Sequence, residues 1–248
     1  MNTQHDPGYR DDLAYIHHVG FTSFATLAAP WIIETLRQRG SKSGRVIELG
    51  CGSGVLAEGL AAAGFNVTGY DLSVAMIDMA RARVPQACFH VGSFLDVKLS
   101  PCAAVIAQGE VLNYLFDRRN KKSPLPRLFR QVYAALQPGG LFLFDIAEPG
   151  RAGKSGISRG YGEGPDWACL FTAEEDRQGQ LLTRTITSFR RLGDHYRRDE
   201  EIHRLRLLPR RRVLEQLRAA GFTARAVRQY GAWRFPKGWV GVLARKPG

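Results

Sequence analysis

The sequence predicts an α/β fold, a doubly wound and mostly parallel sheet with a small antiparallel β insertion. Short apolar runs alternate with helical patterns over the first 146 of the 248 residues, which is typical of parallel strands joined by crossover helices. A glycine-rich turn separates the first apolar run from the helical pattern after it. Beyond residue 166, strand-like runs follow one another with short turns between them, which indicates antiparallel pairing.

The parallel part begins with one helix and then alternates strands with helices. An amphipathic helix is predicted over 21–39 and ends at Gly40. Strands are predicted over 45–49, 66–70, 87–91, 103–107 and 141–146, and the helices between them over 55–63, 74–84 and 125–136. Ser73 is placed to cap the second of these three helices, Pro85 terminates it, and Pro124 fits the start of the third.

The second half of the chain has a different pattern. Residues 147–165 carry six glycines and are predicted to form a loop. Strands are predicted over 167–172, 180–192 and 195–208, with turns at 177–179 and 193–194. A helix over 211–220, which ends at Gly221, and strands over about 223–230 and 239–245 complete the chain.

The two-residue turn at 193–194, Gly-Asp, predicts the register of one hairpin. Arg184 then faces His203. Ile186 faces Glu201, so that apolar and ionisable side chains share one face of the hairpin. We expect this mixed face to cover a substrate pocket. An edge hairpin with a Glu201–Arg184 ion pair explains the same pattern, and a slip of one residue would reverse the assignment.

Residues 46–54, Val-Ile-Glu-Leu-Gly-Cys-Gly-Ser-Gly, are the most informative stretch of the chain. A strand ends near Glu48, and the backbone then turns on three glycines that allow positive φ and let a ligand approach bare main chain. The helix predicted next would direct free N–H groups at that ligand. A second strand delivers Asp71 to the same edge, where a carboxylate can accept hydrogen bonds from the two hydroxyls of a ribose.

Two other interpretations fit these glycines. Gly52, Gly54 and Ala57 satisfy the loose G-x-G-x-x-G/A pattern of dinucleotide-binding proteins, so a nicotinamide enzyme is one alternative. A glycine-rich turn that binds no ligand is the other. Residues outside the turn therefore have to distinguish between these interpretations.

Four blocks of sequence together resemble class I S-adenosylmethionine-dependent methyltransferases. The string Glu48-x-Gly50-x-Gly52-x-Gly54 is similar to the first motif of that family. Residues 69–73 resemble its ribose-binding strand end, 91–94 its adenine-contacting segment, and 136–141 the turn into its fifth strand. The likeness covers residues 45–146 well and 211–246 more loosely. It implies a Rossmann-like methyltransferase fold with a seven-stranded sheet.

The resemblance also implies S-adenosylmethionine as the cofactor, with S-adenosylhomocysteine as the product, and a set of residues that bind it. These are Glu48, Gly50, Cys51, Gly52, Gly54, Asp71, Leu72, Ser93, Phe94, Gln108 and Gly109. Asp71 would hold the ribose, and Gln108 would face the sulfonium. Ser93 would reach the adenine, at a position where many relatives carry an acid.

Methyl transfer depends more on positioning than on covalent help, because a sulfonium is already an activated donor. Water must be excluded, and a hydroxyl or ammonium acceptor needs a base to remove its proton. Imidazole suits this role because its ordinary pKa lies near ~6.5. The candidates for a catalytic role are His203, His18 and Glu110, with His17 as a further possible base.

The chain is predicted to have four parts. Residues 1–40 form an N-terminal lid and helix, since the stretch 15–21 resembles the lid of small-molecule methyltransferases. Residues 41–146 form the core that binds S-adenosylmethionine. Residues 147–208 form the glycine-rich loop and the antiparallel insertion that covers the substrate site, and residues 209–248 supply the closing helix and strands of the core.

The positive charge is concentrated in the second half of the chain. Residues 1–150 hold 14 Lys/Arg and 13 Asp/Glu, a net charge of +1, whereas residues 151–248 hold 21 and 10, a net charge of +11. Such an excess fits a solvated face, the steering of an acidic metabolite, or a nucleic-acid surface. The arginine groups have few aromatic residues among them for base stacking, which favours the first two interpretations.

The composition predicts a cytoplasmic protein. The four cysteines are scattered, with no C-x-x-C pair and no zinc spacing, and are interpreted as reduced thiols, so no metal site is expected. The polar N-terminus lacks the apolar segment of a secretory signal, and no run reaches the length of a membrane span, so no membrane partner is expected. The sequence makes no prediction of oligomeric state.

These observations together predict an S-adenosylmethionine-dependent methyltransferase that acts on an O or N atom of a small molecule. An RNA or protein methyltransferase that uses the basic half is one alternative, and a nucleotide-binding protein without catalysis is another. Residues 108–111 read Gln-Gly-Glu-Val, where amino methyltransferases of nucleic acids carry an Asn/Asp-Pro-Pro-aromatic loop. The chain also contains no recognisable RNA-binding module.

Overall fold

The computed structural model of the chain describes residues 8–38, 43–122 and 124–248. Its strands are β1 (Gly44–Leu49), β2 (Phe65–Asp71), β3 (Cys88–Val91), β4 (Cys102–Ala107), β5 (Leu136–Ala147), β6 (Ile157–Gly164), β7 (Trp167–Glu175), β8 (Leu181–Leu192), β9 (His195–Arg206), β10 (Thr223–Val227), β11 (Gln229–Tyr230), β12 (Trp233–Arg234) and β13 (Trp239–Arg245). Its α-helices are α1 (Asp11–Gly20), α2 (Ser23–Gln38), α3 (Val55–Ala62), α4 (Val74–Arg83), α5 (Leu125–Ala135) and α6 (Arg210–Ala219).

Seven strands form the central sheet in the order β10-β13-β5-β4-β1-β2-β3. The pairs among β1–β5 are parallel, and β13 is antiparallel to both of its neighbours. Helices α2, α3 and α4 cover one face around Leu36 and Leu60, and α5 and α6 cover the other around Phe129 and Leu217. The predicted doubly wound, mostly parallel seven-stranded sheet is therefore confirmed.

The helices begin and end where local sequence chemistry allows. The Ser73 hydroxyl accepts a hydrogen bond from the Met76 amide at 3.2 Å and so caps α4, as predicted. The N-terminal region has one helix more than predicted, because α1 precedes α2, and the predicted stop at Gly40 lies outside the described residues.

In the described part of the chain, no single helix is long and apolar enough to span a membrane. Helices α1 and α2 reach the necessary length and apolar composition only when they are taken together, and the pair is bent by 60°.

A second sheet of four antiparallel strands runs in the order β6-β7-β8-β9. Its β8–β9 hairpin turns at 193–194 and pairs Arg184 with His203 and Ile186 with Glu201. The predicted register is therefore confirmed. Arg184 nevertheless forms its ion pair with Glu110, whereas Glu201 hydrogen-bonds His203, so the alternative Glu201–Arg184 pair does not occur.

The prediction that residues 147–165 form a loop is wrong for residues 157–164, which form β6. The alternating glycines of this strand have a packing reason. A Cβ at Gly160 would collide with the Phe171 ring, and one at Gly164 would collide with the Trp167 ring. Glycine therefore lets aromatic rings of β7 lie against the backbone of β6, so glycine density here marks close packing and not a loop.

Contacts through helix α1 and through Asn113 help to join the second sheet to the core. Helix α1 packs on the sheet through Leu13 and Ile16, which contact Trp167 and Ile186 in a small apolar cluster. The Asn113 side chain donates to the carbonyl oxygens at the ends of β5 and β9, at 2.9 and 2.6 Å. These contacts place α1 and the β8–β9 hairpin beside the carboxyl ends of the parallel strands.

Candidate active site

A cavity lies at the carboxyl ends of β1, β2 and β4, the edge at which an open parallel sheet binds ligands. Its walls come from segments within residues 8–25, 48–56, 71–76, 92–94 and 108–117. The predicted residues Glu48, Gly50, Cys51, Gly52, Asp71, Leu72, Phe94, Gln108 and Gly109 all line it. Gly54 and Ser93 are not among its lining residues.

The loop after β1 turns on three glycines with positive φ, namely 68° at Gly50, 53° at Gly52 and 78° at Gly54. A Cβ at Gly50 would collide with Val111, and one at Gly54 would lie 3.1 Å from Ala80. At Gly52 the nearest atom to such a Cβ is 4.0 Å away, so the backbone there borders open space. Gly54 therefore serves packing of α3 on α4, and Gly52 leaves room for a ligand.

Asp71 stands at the end of β2, with its carboxylate between the two loops. It accepts hydrogen bonds from the amides of Gly52 and Ser73, each at 2.9 Å. Burial raises the pKa of Asp71, although these backbone hydrogen bonds counteract the effect. The two amides hold the carboxylate in place, and its remaining lone pairs can accept hydroxyl donors from the cavity.

Glu48 is a buried carboxyl group on the wall of the cavity, 4% exposed. Its Oε2 atom has no hydrogen-bond partner among the described residues. Burial raises the pKa of Glu48 to about 8. An unpaired buried acceptor of this kind suits a ligand that brings a positive charge or N–H donors.

The end of the cavity near β3 differs from the prediction at one residue. Gly92 and Phe94 line the cavity, whereas the hydroxyl of Ser93 accepts from the Leu95 amide at 3.2 Å and hydrogen-bonds Asp117. The carboxylate on this wall belongs to Asp117, which is 2% exposed and is paired with Arg119. No sequence motif identifies Asp117, because it is brought here by the fold from a segment 24 positions further along the chain.

Gln108 and Gly109 end β4 beside α2. The Gln108 amide nitrogen donates to the Phe24 carbonyl at 3.2 Å, and its Oε1 atom is buried without a partner in the described structure. The Gly109 amide donates to the Asp145 carboxylate at 2.9 Å. Burial raises the pKa of Asp145 to about 7. The contact with Asp145 thus fixes the start of the loop after β4, and Gln108 Oε1 is left there as an amide oxygen without a partner in the described structure.

Glu110 does not provide a free base, contrary to the prediction. Its carboxylate accepts from Arg151 and Arg184, both at 2.6 Å, and it is absent from the cavity lining. Burial alone would raise the pKa of Glu110, but the two guanidinium groups outweigh it and hold the pKa below its ordinary value. An anion saturated in this way orders the loop after β4.

His203 also lies outside the cavity lining. It is buried at 1% exposure behind Tyr9 and Phe116, with ring centroids 4.8 and 4.9 Å away. Its Nε2–H donates to Glu201 at 2.8 Å. Glu201 in turn accepts the amides of Tyr9 and Arg10 at 2.7 and 2.8 Å. His203 therefore contacts the wall from outside and helps to hold the segment 8–10, which we term the strap.

The two neighbouring histidines of α1 have different surroundings. His18 Nδ1 contacts the Ser53 hydroxyl at 2.8 Å, and its Nε2 accepts from Arg83 at 3.2 Å, so His18 reaches the cavity only through Ser53. Burial and the Arg83 charge lower the pKa of His18. His17 lines the cavity directly, and its Nδ1 atom has no partner among the described residues.

Aromatic side chains that the sequence did not identify complete the cavity. Tyr9, Phe24, Tyr114 and Phe116 line it together with His17. The Tyr9 hydroxyl contacts that of Tyr114 at 3.0 Å, and Arg184 donates to Tyr114 at 3.2 Å. These residues come from the strap, α2 and the loop after β4, and no local pattern in the sequence joins them.

The part of the chain that the structure describes holds no cluster of His, Cys, Asp and Glu that could bind a metal.

The residues present fit S-adenosylmethionine. The cavity offers a bare glycine loop, a held carboxylate at Asp71 and an unpaired acceptor at Glu48, which match a ligand with ribose hydroxyls and a cationic methionine part. When bound, the cofactor supplies a methyl group on a positively charged sulfur. The chain's own contribution is to hold the two ligands and to exclude water.

Comparisons with known proteins agree with this site. A family model described as a methyltransferase domain matches residues 21–227. The chain is 26% identical over 200 residues to YqeM of Bacillus subtilis (strain 168), which is named as a methyltransferase, over 77% of each chain. An S-adenosylmethionine-dependent methyltransferase from Clostridium acetobutylicum ATCC 824 has a similar structure, with a TM-score of 0.78, 19% identity, and 95% of this chain and 98% of that chain covered.

A second solved structure is of interest for its substrate. The sugar N-methyltransferase KedS8 from Streptoalloteichus sp ATCC 53650 matches with a TM-score of 0.75 and 19% identity, covering 96% of this chain and 94% of that chain. At this identity the likeness concerns the fold. The family match over most of the chain, together with a cavity suited to S-adenosylmethionine, shows that this protein belongs to the class I S-adenosylmethionine-dependent methyltransferases.

Proposed function

We propose that this enzyme transfers the methyl group of S-adenosylmethionine to an O or N atom of a small molecule. The observation that carries the proposal is the cover over the cavity. The strap is tied on one side to the core, where the Ser73 hydroxyl donates to the Tyr9 carbonyl at 2.7 Å, and on the other side to Glu201 of β9. A cover held on both sides admits a small acceptor more readily than a polymer.

The predicted antiparallel insertion then has a defined role in the proposal. Its mixed face supplies Glu201, which holds the strap, and Arg184, which orders Glu110 and Tyr114. Together with α1, it forms the cover of the acceptor end, as the proposed division of the chain into lid, core and insertion requires. KedS8, a sugar methyltransferase with the same fold, is consistent with a small acceptor.

Cofactor binding is assigned residue by residue within the same proposal. Asp71 holds the ribose hydroxyls, Leu72 and Phe94 flank the adenine, and Glu48 accepts from the cationic methionine part. Gly50, Cys51 and Gly52 form the floor, and Gly109 borders the sulfur. We place the enzyme in the cytoplasm, which the four free cysteines support.

The cofactor assignment is tested with Asp71→Ala. Hydrogen bonds to a charged group contribute ~1.5–3 kcal/mol, so the variant should bind S-adenosylmethionine more weakly by that amount in isothermal titration calorimetry. Asp78→Ala, which removes a carboxylate 65% exposed on α4, is the matched control and should bind normally. Unchanged affinity in a folded Asp71→Ala protein would remove this residue from the cofactor site.

The acceptor class is tested by transfer of methyl-tritiated label. The enzyme is offered extracts separated into small molecules, RNA and protein, with Asp71→Ala as the blank. Label in the small-molecule fraction is the expected result. Label confined to RNA or protein would overturn the small-acceptor proposal in favour of a polymer substrate on the basic half of the chain.

A further inference from the structure

The acceptor end of the cavity is walled by aromatic rings in mutual contact. The stacked Tyr114 and Phe116 rings lie 4.8 Å apart, and Tyr9 meets each edge-on at 6.3 Å. Tyr9 meets His17 at 5.1 Å, and His17 meets Phe24 at 6.2 Å. Phe24 approaches the Gly109 backbone closely, since a Cβ there would lie 3.3 Å from its ring. These five rings, which we term the cage, therefore border the end of β4.

Two buried polar atoms beside the cage have no hydrogen-bond partner among the described residues. Gln108 directs its amide nitrogen to the Phe24 carbonyl, which can only accept, so its buried Oε1 is the end without a partner. His17 Nδ1 is likewise buried without a partner in the described residues. Burial, with the nearby His203 and His18, lowers the pKa of His17 to about 4, so the ring is neutral and has one nitrogen lone pair.

The described lining of the cavity contains acidic side chains but no fixed positive charge. The ionisable carboxylates on the wall are Glu48, Asp71 and Asp117, and no lysine or arginine occurs among the described residues that line the cavity. Two guanidinium groups contact lining residues, Arg184 at Tyr114 and Arg119 at Asp117, and each is already paired with a carboxylate. An acidic acceptor would therefore enter without a cationic partner, at a large desolvation cost.

We infer that the methyl acceptor is a small primary amine, held in the cage with its two N–H groups donated to Gln108 Oε1 and to Nδ1 of a His17 ring that carries its proton on Nε2. The inference rests on the proposed function. An amine supplies the donors that these two atoms lack, and its protonated form, like the methylated product, is attracted to the faces of aromatic rings. An alcohol has a single donor and a carboxylate has none.

The chemistry balances without a further reactant. The free amine's lone pair forms the new N–C bond while the C–S bond of the methyl donor breaks and leaves its electron pair on sulfur. The product is a methylated ammonium together with S-adenosylhomocysteine, and the ammonium loses its proton to water after release. The cage orients the lone pair, and no side chain has to take up the proton at the moment of transfer.

Calorimetry with the product-loaded enzyme tests the inference. Protein saturated with S-adenosylhomocysteine is titrated with benzylamine, benzyl alcohol and benzoate, which share a ring and differ in the acceptor group. Benzylamine should bind at least about tenfold more tightly than the other two. Equal or tighter binding of benzoate or benzyl alcohol, or no measurable binding of benzylamine, would overturn the inference.

Variants locate the amine within the cage. His17→Phe keeps an aromatic ring and removes the acceptor, so benzylamine affinity should fall by up to about tenfold while S-adenosylhomocysteine affinity stays the same. His195→Phe, at the exposed end of the β8–β9 hairpin, is the matched control. Unchanged benzylamine affinity in His17→Phe contradicts the assignment, and the wild-type titrations decide the matter if that variant does not fold.

The same titrations separate this inference from the proposed function. Failure of the wild-type protein to bind S-adenosylhomocysteine at all would refute the cofactor site itself. Binding of S-adenosylhomocysteine combined with a preference for benzoate would leave the methyltransferase intact and refute the amine. Label transfer then tests for a carboxylate acceptor, because methyl esters are hydrolysed in mild base whereas N-methyl groups survive it.

Discussion

At the residue scale, Glu48 is a buried carboxyl group on the cavity wall whose ionisation lowers the stability of the fold. Its carboxyl group is buried, one oxygen has no partner among the described residues, and burial raises its pKa to about 8. In the unfolded chain the same group has the ordinary pKa of 4.5. The folded protein therefore retains a proton that the unfolded chain gives up, so ionisation opposes folding.

This difference predicts how stability depends on pH. As pH rises from about 4.5 to 8, the unfolded chain loses the Glu48 proton first, so the free energy of unfolding should fall across that window. Glu48→Gln should remove this dependence and be the more stable protein at the upper end, by an amount on the order of 4 kcal/mol at most. Urea unfolding across the pH range measures it, with the exposed Glu34→Gln as control. Parallel curves for Glu48→Gln and wild type would contradict the argument.

Asp117 shows the limit of motif reading at this scale. The sequence comparison directs attention to residue 93, and Ser93 occupies that position with its hydroxyl bonded to Asp117. The buried carboxylate on the cavity wall thus comes from a different segment. A motif identifies positions along one segment, and it carries no information about side chains that the fold brings to the same place from another.

At the scale of elements, the strap and the β8–β9 hairpin depend on one carboxylate. Glu201 accepts the amides of Tyr9 and Arg10 and the Nε2–H of His203, so three donors converge on it. Tyr9 itself has a positive φ of 61°, an uncommon conformation that these contacts maintain. Loss of Glu201 should release the strap from the insertion.

We predict that Glu201→Ala speeds hydrogen exchange of the strap amides at residues 9 and 10. Each lost hydrogen bond to the carboxylate is worth ~1.5–3 kcal/mol, so exchange there should accelerate by at least about tenfold, and S-adenosylmethionine should dissociate faster. Glu200→Ala removes the neighbouring carboxylate on the opposite, exposed face of β9 and serves as the control. Equal protection of the strap in both variants would show that Glu201 does not hold it.

Strand β6 shows why element prediction failed in one place. Its alternating glycines have the composition of a loop, yet Gly160 and Gly164 make room for rings of β7. The hairpin register was predictable because a two-residue turn restricts the pairing of its own flanking strands. Turn chemistry is local, whereas the reason for glycine in β6 lies on another strand.

At the scale of the whole molecule, the cavity joins parts of the chain that are far apart in sequence. Its walls include the strap, the β1 loop and the segment after β4, and the insertion holds the strap from outside. A ligand that fills the cavity therefore contacts these walls directly and supports the insertion through the strap. Ligand binding should stabilise the molecule as one unit.

This expectation gives a measurable thermal shift. S-adenosylhomocysteine at 100 times its dissociation constant should stabilise the native state by about 2.7 kcal/mol and raise the midpoint of thermal unfolding. Calorimetry should show one transition that moves as a whole, and Asp71→Ala should shift much less at the same ligand concentration. Two transitions, of which only one responds, would mean that the insertion unfolds independently of the core.

The sequence by itself determined the class of fold, the glycine loop that meets Asp71 at one edge of the sheet, the hairpin register and the membership of a methyltransferase family. These features depend on neighbours in sequence, on hydrophobic period, glycine conformation and turn geometry, so a single segment records each of them. Tertiary structure alone decided which histidine reaches the cavity, which carboxylates are neutralised by arginine, and which rings form the cage. Those properties arise from contacts between distant segments, and burial and charge pairing have no local signature in the chain.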